Sequence, residues 1–253
     1  MSFERVAVVS DVQGNAVAMA AVARDVVDSG PDALVFGGDL TWGPLPQETW
    51  CVVAELRDEV GAPVFFVRGN AERTLTELKA GANGRRPTAR ARWMLAQHAE
   101  DTLEAIETFS SAITLDVRGI GRTRFCHGSP RNDEELITPC TPDLRMIALL
   151  EQVDEAVLVS AHTQIQFDRR VAGIRSLNPG SVGLAYHRCG GAYWALLGPD
   201  VELRRTDYDL EAALAAYRVS DDPLADALIE TLLAPPATAQ VIAAAEALEC
   251  SGC

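Results

Sequence analysis

The chain has no apolar run approaching the roughly 20 residues that span a bilayer. Its first residues, Met1-Ser2-Phe3-Glu4-Arg5, lead straight into a strand pattern, with no signal-peptide h-region. The default location is therefore the cytoplasm, with no membrane partner. Positive charge is also scarce: 22 Lys and Arg stand against 36 Asp and Glu, a formal net charge of −14. Such a surface repels nucleic-acid backbones, which argues against general nucleic-acid binding. A phosphorylated small molecule is still admissible, because a bound metal reverses the field locally. No cysteine framework exists either. Cys51, Cys126, Cys140, Cys189, Cys250 and Cys253 are irregularly spaced and read as buried thiols, with the terminal Cys-x-x-Cys as a frayed end. No internal repeat is present.

What the chain does have is 253 residues, 48% of them apolar and 23% charged, with mean hydropathy near zero. That suffices for one large globular core. Strand-like and helix-like segments alternate through the first half. Residues 5–10, 33–37 and 63–68 read as buried strands, and 16–29 and 47–60 as helices, the first stopped by Gly30-Pro31. Residues 71–110 interrupt the rhythm as a helical insert, with one helix from 89 to about 109. Arg85, Arg86, Arg90 and Arg92 read there as a solvated face, or more weakly as an anion-attracting lid. Strands are expected at 113–117, 122–126, 156–160, 174–177, 192–197 and 201–205. Residues 1–208 then form one domain, and 209–253 an appended helical extension on it.

Six segments place a polar residue at the end of an apolar run, usually beside glycine. They are Ser10-Asp11-Val12-Gln13-Gly14-Asn15, Gly37-Gly38-Asp39, Arg68-Gly69-Asn70, Cys126-His127-Gly128, Ala161-His162-Thr163-Gln164 and Asn178-Pro179-Gly180-Ser181. Parallel strands bring such ends to one edge of a sheet. The donors offered are carboxylate, amide and imidazole, which suit Mg, Mn, Fe or Zn rather than a thiolate site. Taken singly, Asp39 fits a turn or N-cap, and His127 fits a core histidine bonded to backbone. Their order along the chain favours ligation.

That order and spacing resembles the calcineurin-like metallophosphoesterases, in particular their compact bacterial branch, over about residues 5–208. The resemblance extends to the Asn-Pro-Gly-Ser-Val stretch at 178–182. It implies an α/β fold: a four-layer αββα sandwich of two mixed β-sheets flanked by helices. It also implies one or two divalent metal ions per chain, with Asp39 bridging both. One site would use Asp39, Asn70, His127 and His162. The other would use Asp11, Gln13, Asp39 and Gln164. The family pattern has His at positions 13 and 164, and both departures fall on one site. They point either to an oxygen-dominated site that favours Mn or Mg over Fe, Zn or Ni, or to a site left empty; altered coordination is the favoured reading. Related 5′-nucleotidases resemble this chain in using Gln where Gln164 stands. Ala71 replaces a His that serves many relatives as a proton donor.

The resemblance implies hydrolysis of a phosphodiester or small nucleotide-like phosphate by in-line attack of a metal-bound hydroxide. Asp39, Asn70 and His127 would be the catalytic residues, and Asn15 is a candidate substrate contact; Arg73 and Arg131, from their positions, read equally as guanidinium contacts to phosphate or as surface salt bridges. The alternative is a catalytically impaired member acting as a metal- or nucleotide-binding sensor or interaction protein; a pure scaffold without metal is a third reading. Of the other histidines, His98 reads as a solvated face and His187 as a minor candidate for the cleft. The Trp42 loop reads as packing.

Overall fold

Asn15 and Gly30 bracket the first long helix. The Asn15 side chain accepts from Ala18 N at 3.0 Å, and Gly30 leaves the helix in the left-handed region at φ 58°. Short buried strands stand on either side, and this alternation continues along the computed structural model, which describes residues 2–81 and 87–251. In chain order the first elements are β1 (Ser2–Phe3), β2 (Val6–Val9), α1 (Ala16–Ser29), β3 (Ala33–Phe36), α2 (Pro46–Val60) and β4 (Val64–Phe66). Three helices follow: α3 (Asn70–Lys79), α4 (Ala89–Ala96) and α5 (Glu100–Glu107). A strand-rich part comes next, with β5 (Ala112–Val117), β6 (Gly121–Cys126), α6 (Asp143–Leu150), β7 (Val157–Val159), β8 (Phe167–Val171), β9 (Ile174–Asn178), β10 (Ala192–Leu197) and β11 (Val201–Thr206). Then come α7 (Leu210–Val219), α8 (Ala225–Leu233) and α9 (Thr238–Ser251).

The strands make two mixed sheets. One runs β11-β10-β2-β3-β4 and the other β1-β5-β6-β7-β9-β8. In the first, β2, β3 and β4 are parallel; in the second, β6, β7 and β9 are parallel. Alternation along each strand sets the layers. Val6 and Val8 face the second sheet, in a core with Val35, Phe125, Val157 and Leu197. Ala7 and Val9 face the other way, onto Met19 and Val22 of α1 and Val53 of α2. On the far side, Leu158 and Phe167 pack on Met146 and Leu149 of α6. The result is the expected αββα sandwich. No described helix is long and apolar enough to cross a membrane.

Several expectations need correction. The span 89–109 is two helices, because α4 ends at Ala96, capped by Gln97, and α5 begins after Ala99. His98 sits in that break and is buried, not solvated. One ring nitrogen meets Met94 O at 2.8 Å and the other Thr41 Oγ1 at 2.8 Å. The insert packs into the main core through Leu75, Met94, Leu103 and Ile106. Arg90 is not on a solvated face: it pairs bidentately with Asp222, whose side chain is fully buried, whereas Arg92 is exposed as expected and bonds Pro87 O. Arg85, Arg86 and Cys253 lie outside the described residues. Cys51, Cys126, Cys140 and Cys189 are free as expected, but only Cys126 is buried, and burial pushes its thiol up to about 12. Trp42 packs against the core.

The last helix reaches back to the loop that follows His127. Glu246 accepts from Thr138 Oγ1 at 2.7 Å and Thr141 Oγ1 at 2.6 Å and pairs with Arg145. Glu249 accepts from Leu136 N at 2.8 Å. Glu246→Ala is expected to destabilise the fold by about 1–3 kcal/mol, since two hydroxyls and a guanidinium lose a part-buried carboxylate. Urea denaturation checks this, and an unchanged midpoint refutes it.

Candidate metal centre

The polar residues of the six segments meet at one edge, because they follow the C-terminal ends of parallel strands. Asp11 follows β2, Asp39 follows β3, Asn70 opens α3 just after β4, His127 follows β6, and His162 and Gln164 follow β7. The first two loops are zipped together by backbone bonds: Asp11 N to Gly38 O, Gln13 N to Asp39 O and Gly14 N to Leu40 O, at 2.9–3.0 Å. The Asn178–Val182 stretch stitches the other side. Ser181 Oγ donates to Asp11 O at 2.7 Å, and Asn178 Nδ2 donates to Ala161 O at 2.8 Å. Its role is thus to hold the loops.

Asp11, Gln13, Asp39, His162 and Gln164 all have positive φ, between 51° and 64°. Among the described residues only Ala172 shares this property without being glycine. Left-handed backbone costs an L-residue roughly 1–2 kcal/mol. Five such residues in one cleft mark a place where the surroundings impose the conformation. Gly38, at φ 96°, is required for a second reason: a Cβ there would lie 2.7 Å from His127 Nδ1.

Asp39, His127 and His162 offer ligand atoms that all lie within 4.8 Å of one another. His127 Nδ1 donates to Gly37 O at 2.8 Å, which aims Nε2 at Asn70 Oδ1, 3.1 Å away, and Asp39 Oδ1, 3.4 Å away. An unprotonated Nε2 and two oxygens are all acceptors, so the point they share needs positive charge. A proton on Nε2 is one source of that charge. Burial disfavours the imidazolium, but the charge and hydrogen bond of Asp39 outweigh that and push His127 up to about 10. For Asp39, burial opposes ionisation, yet His127 and the Ala71 amide hold its carboxyl below the ordinary range. Burial, with His127 adding, pushes His162 down.

The other half of the site is short of donors. Asp11 Oδ2 accepts from Ser10 Oγ at 2.8 Å and His162 N at 3.2 Å, while Oδ1 is buried without a partner. Burial raises the Asp11 carboxyl to about 7, with the Asp39 charge adding to the effect. Gln164 Oε1 is likewise buried and unpartnered. Gln13 Nε2 donates to Asp39 Oδ2 at 3.1 Å. Asp39 therefore turns Oδ1 toward Ala71 N and His127, and Oδ2 toward Gln13. Orphaned buried oxygens around a convergent Asp-His-His set fit hard divalent cations.

Glu72 was not among the candidates. It is buried, and its carboxylate accepts from Gly69 N, Asp39 N and Leu40 N at 2.8–2.9 Å, tying three site segments together. Burial, and then the Asp39 charge, push its carboxyl up. No side-chain pattern marks it, because the N-cap Gly69 has no side chain with which to complete a capping box. The three candidate substrate contacts are otherwise engaged. Asn15 caps α1 and donates to Gly183 O. Arg73 pairs with Asp133, Glu134 and Glu77, and Arg131 with Glu135. His187 accepts from Gln166 N and stacks on Tyr193, a packing role.

This fold and edge-on ligand set define a metallophosphoesterase. Residues 4–180 match the family model of the calcineurin-like phosphoesterases. The chain belongs to that family of metal-using phosphoric ester hydrolases. Among solved structures it is similar to a hypothetical protein from Pyrococcus horikoshii OT3, with 19% identity, 92% of this chain and 98% of that one covered, and a TM-score of 0.77. It is also similar to a metallophosphoesterase from Sphaerobacter thermophilus, with 23% identity, 92% and 100% covered, and a TM-score of 0.70. A comparison with curated proteins finds no match.

Proposed function

We propose that the protein hydrolyses a phosphodiester or a small nucleotide-like phosphate, using two divalent cations that share Asp39. The observation that carries this reading is the division of Asp39, one oxygen toward each half of the site. Asp39, Asn70, His127 and His162 hold one cation; Asp11, Gln13, Asp39 and Gln164 hold the other. Bound divalent cations supply Lewis-acid charge to the phosphoryl oxygens and lower the pKa of a coordinated water. The protein's own groups do the rest. Gly37 O orients His127 through Nδ1, leaving Nε2 to face the site. Ala71 has no proton to give, so a good leaving group is favoured. The amide-rich half favours Mn or Mg over Fe, Zn or Ni. A one-cation binding protein is the second reading, supported by the Gln13 amide, whose N–H already satisfies Asp39 Oδ2.

Elemental analysis of the purified protein, with hydrolysis of bis(p-nitrophenyl) phosphate across Mg, Mn, Ni and Zn, separates the two. Two equivalents with turnover support the enzyme. One equivalent without turnover in any metal refutes it.

Gln13→His and Gln164→His are expected to tighten the second equivalent of Zn or Mn by roughly tenfold or more, because imidazole is the stronger donor. Each also eases backbone strain, since His enters the left-handed region more readily than Gln. Melting temperature should therefore rise even in chelator. Weaker metal binding with a lower melting temperature would refute the expectation.

A further inference from the structure

Beside the metal centre, and sharing His127 with it, lies a cavity of about 380 Å³. Arg68, Arg73, Arg124 and Arg131 line it against a single carboxylate, Asp133. Four guanidiniums around one cavity run against the chain's net charge of −14. They are not equivalent. Arg73 is committed to Asp133 and two glutamates, and Arg131 to Glu135. Arg68 and Arg124 have no carboxylate partner among the described residues. Arg68 Nε is buried without any hydrogen-bond acceptor, and Arg124 reaches only Gln152 O, at 3.2 Å. Arg68 is half-buried, and a buried N–H without a protein acceptor calls for a partner from solvent or from a ligand.

The placement adds to this. Arg68 directly precedes Gly69 and Asn70, and Arg124 stands three residues before His127 on β6. Both therefore sit on segments that carry candidate ligands, on the Asn70–His127 side of the centre. Guanidinium forks match the oxygens of a phosphate group better than any other protein side chain. The cavity volume falls at the small-molecule end of ligand pockets, which span roughly 300–1,000 Å³. There is room for an anionic group and part of what carries it.

We propose that Arg68 and Arg124 bind a second phosphate group of the substrate, one that is not hydrolysed, so that the natural substrate carries at least two phosphates. The assignment to substrate rests on the phosphoesterase reading above; the affinity of the cavity for phosphate does not.

Two measurements test this separately. In the first, the full-length chain is stripped of metal by dialysis and titrated calorimetrically with inorganic phosphate. Saturable binding, weakened by about tenfold or more in both Arg68→Gln and Arg124→Gln, is expected for the loss of one charge-assisted contact. No heat at any phosphate concentration tested, or equal affinity in both variants, overturns the site. Circular dichroism of the variants confirms that they fold, and Arg124→Lys should restore part of the affinity. In the second, the Mn-loaded protein hydrolyses either bis(p-nitrophenyl) phosphate or a p-nitrophenyl diester bearing a terminal phosphate. Arg124→Gln should lower kcat/KM for the phosphate-bearing diester by at least tenfold more than for the plain one, mainly through KM. Equal losses on both overturn the assignment to substrate and leave a site for free phosphate. If the wild type hydrolyses neither diester, the phosphoesterase reading fails, and the calorimetry alone decides the site.

Discussion

Asp39→Asn is expected to lower kcat/KM on an activated diester by about a thousandfold, and to reduce the bound metal to one equivalent or less. Asp39 turns one oxygen to each half of the site, so the substitution weakens both halves. An amide keeps one neutral acceptor and places an NH₂ where the other oxygen stood. The transition state then loses several kcal/mol of charge stabilisation, and about 4 kcal/mol corresponds to a thousandfold. Misfolding is not the expected cause. Asn occupies left-handed backbone about as readily as Asp, so φ 55° at position 39 is kept. Elemental analysis with steady-state kinetics provides the check. Two equivalents retained with activity within tenfold of wild type would remove Asp39 from the centre of the site.

Glu72→Ala is expected to cost about 3–6 kcal/mol of stability. Its carboxylate is the acceptor for three buried amides, and each buried donor left unpaired costs about 1–3 kcal/mol. That is a large part of the roughly 5–15 kcal/mol by which domains are stable. Glu72→Gln keeps one acceptor oxygen and turns an NH₂ toward the remaining amide, so an intermediate loss follows. Denaturation in urea, with chelator present to separate folding from metal binding, measures both. A loss under about 1 kcal/mol in Glu72→Ala would show that water replaces the carboxylate. The same variant should bind metal more weakly, because Asp39 N and Gly69 N are the amides that set two ligand loops.

Much of this molecule was legible from its sequence, for identifiable reasons. Helix α1 is legible to the residue, 16–29, with Gly30-Pro31 marking its end, and the structure adds Asn15 as its N-cap. Strands β2, β3 and β10 were read because they are apolar on both faces. Strand β8 was missed because Asp168-Arg169-Arg170 breaks its apolar pattern; it is the edge of its sheet, where charged side chains are tolerated. Helix α3 falls within the stretch that reads as a helical insert, but its start is not legible because Asn70 ends a strand pattern and also opens a helix. The ligand candidates were visible because each follows a strand. Glu72 was not, because its work is done on backbone amides of Gly69, Asp39 and Leu40, and side-chain patterns carry no record of such bonds. The same holds for His98, whose burial depends on Thr41, 57 residues away.

The stitches on Asp11 have a consequence in time. Asp11 O receives its bond from Ser181, 170 residues downstream, and Asp11 Oδ2 receives one from the backbone of His162, 151 residues downstream. At synthesis rates of about 5–20 residues per second, the first of these partners exists only roughly 10–30 s after Asp11 has been made. For the part of that interval before residue 127 is made, Asp11, Asp39 and Asn70 precede both His127 and His162. A cation met at that stage would find only oxygen donors, in loops that still lack the bonds from Ser181 and His162. The two imidazoles join late, so the nascent chain should pass through an oxygen-only stage before the proposed donor set is complete.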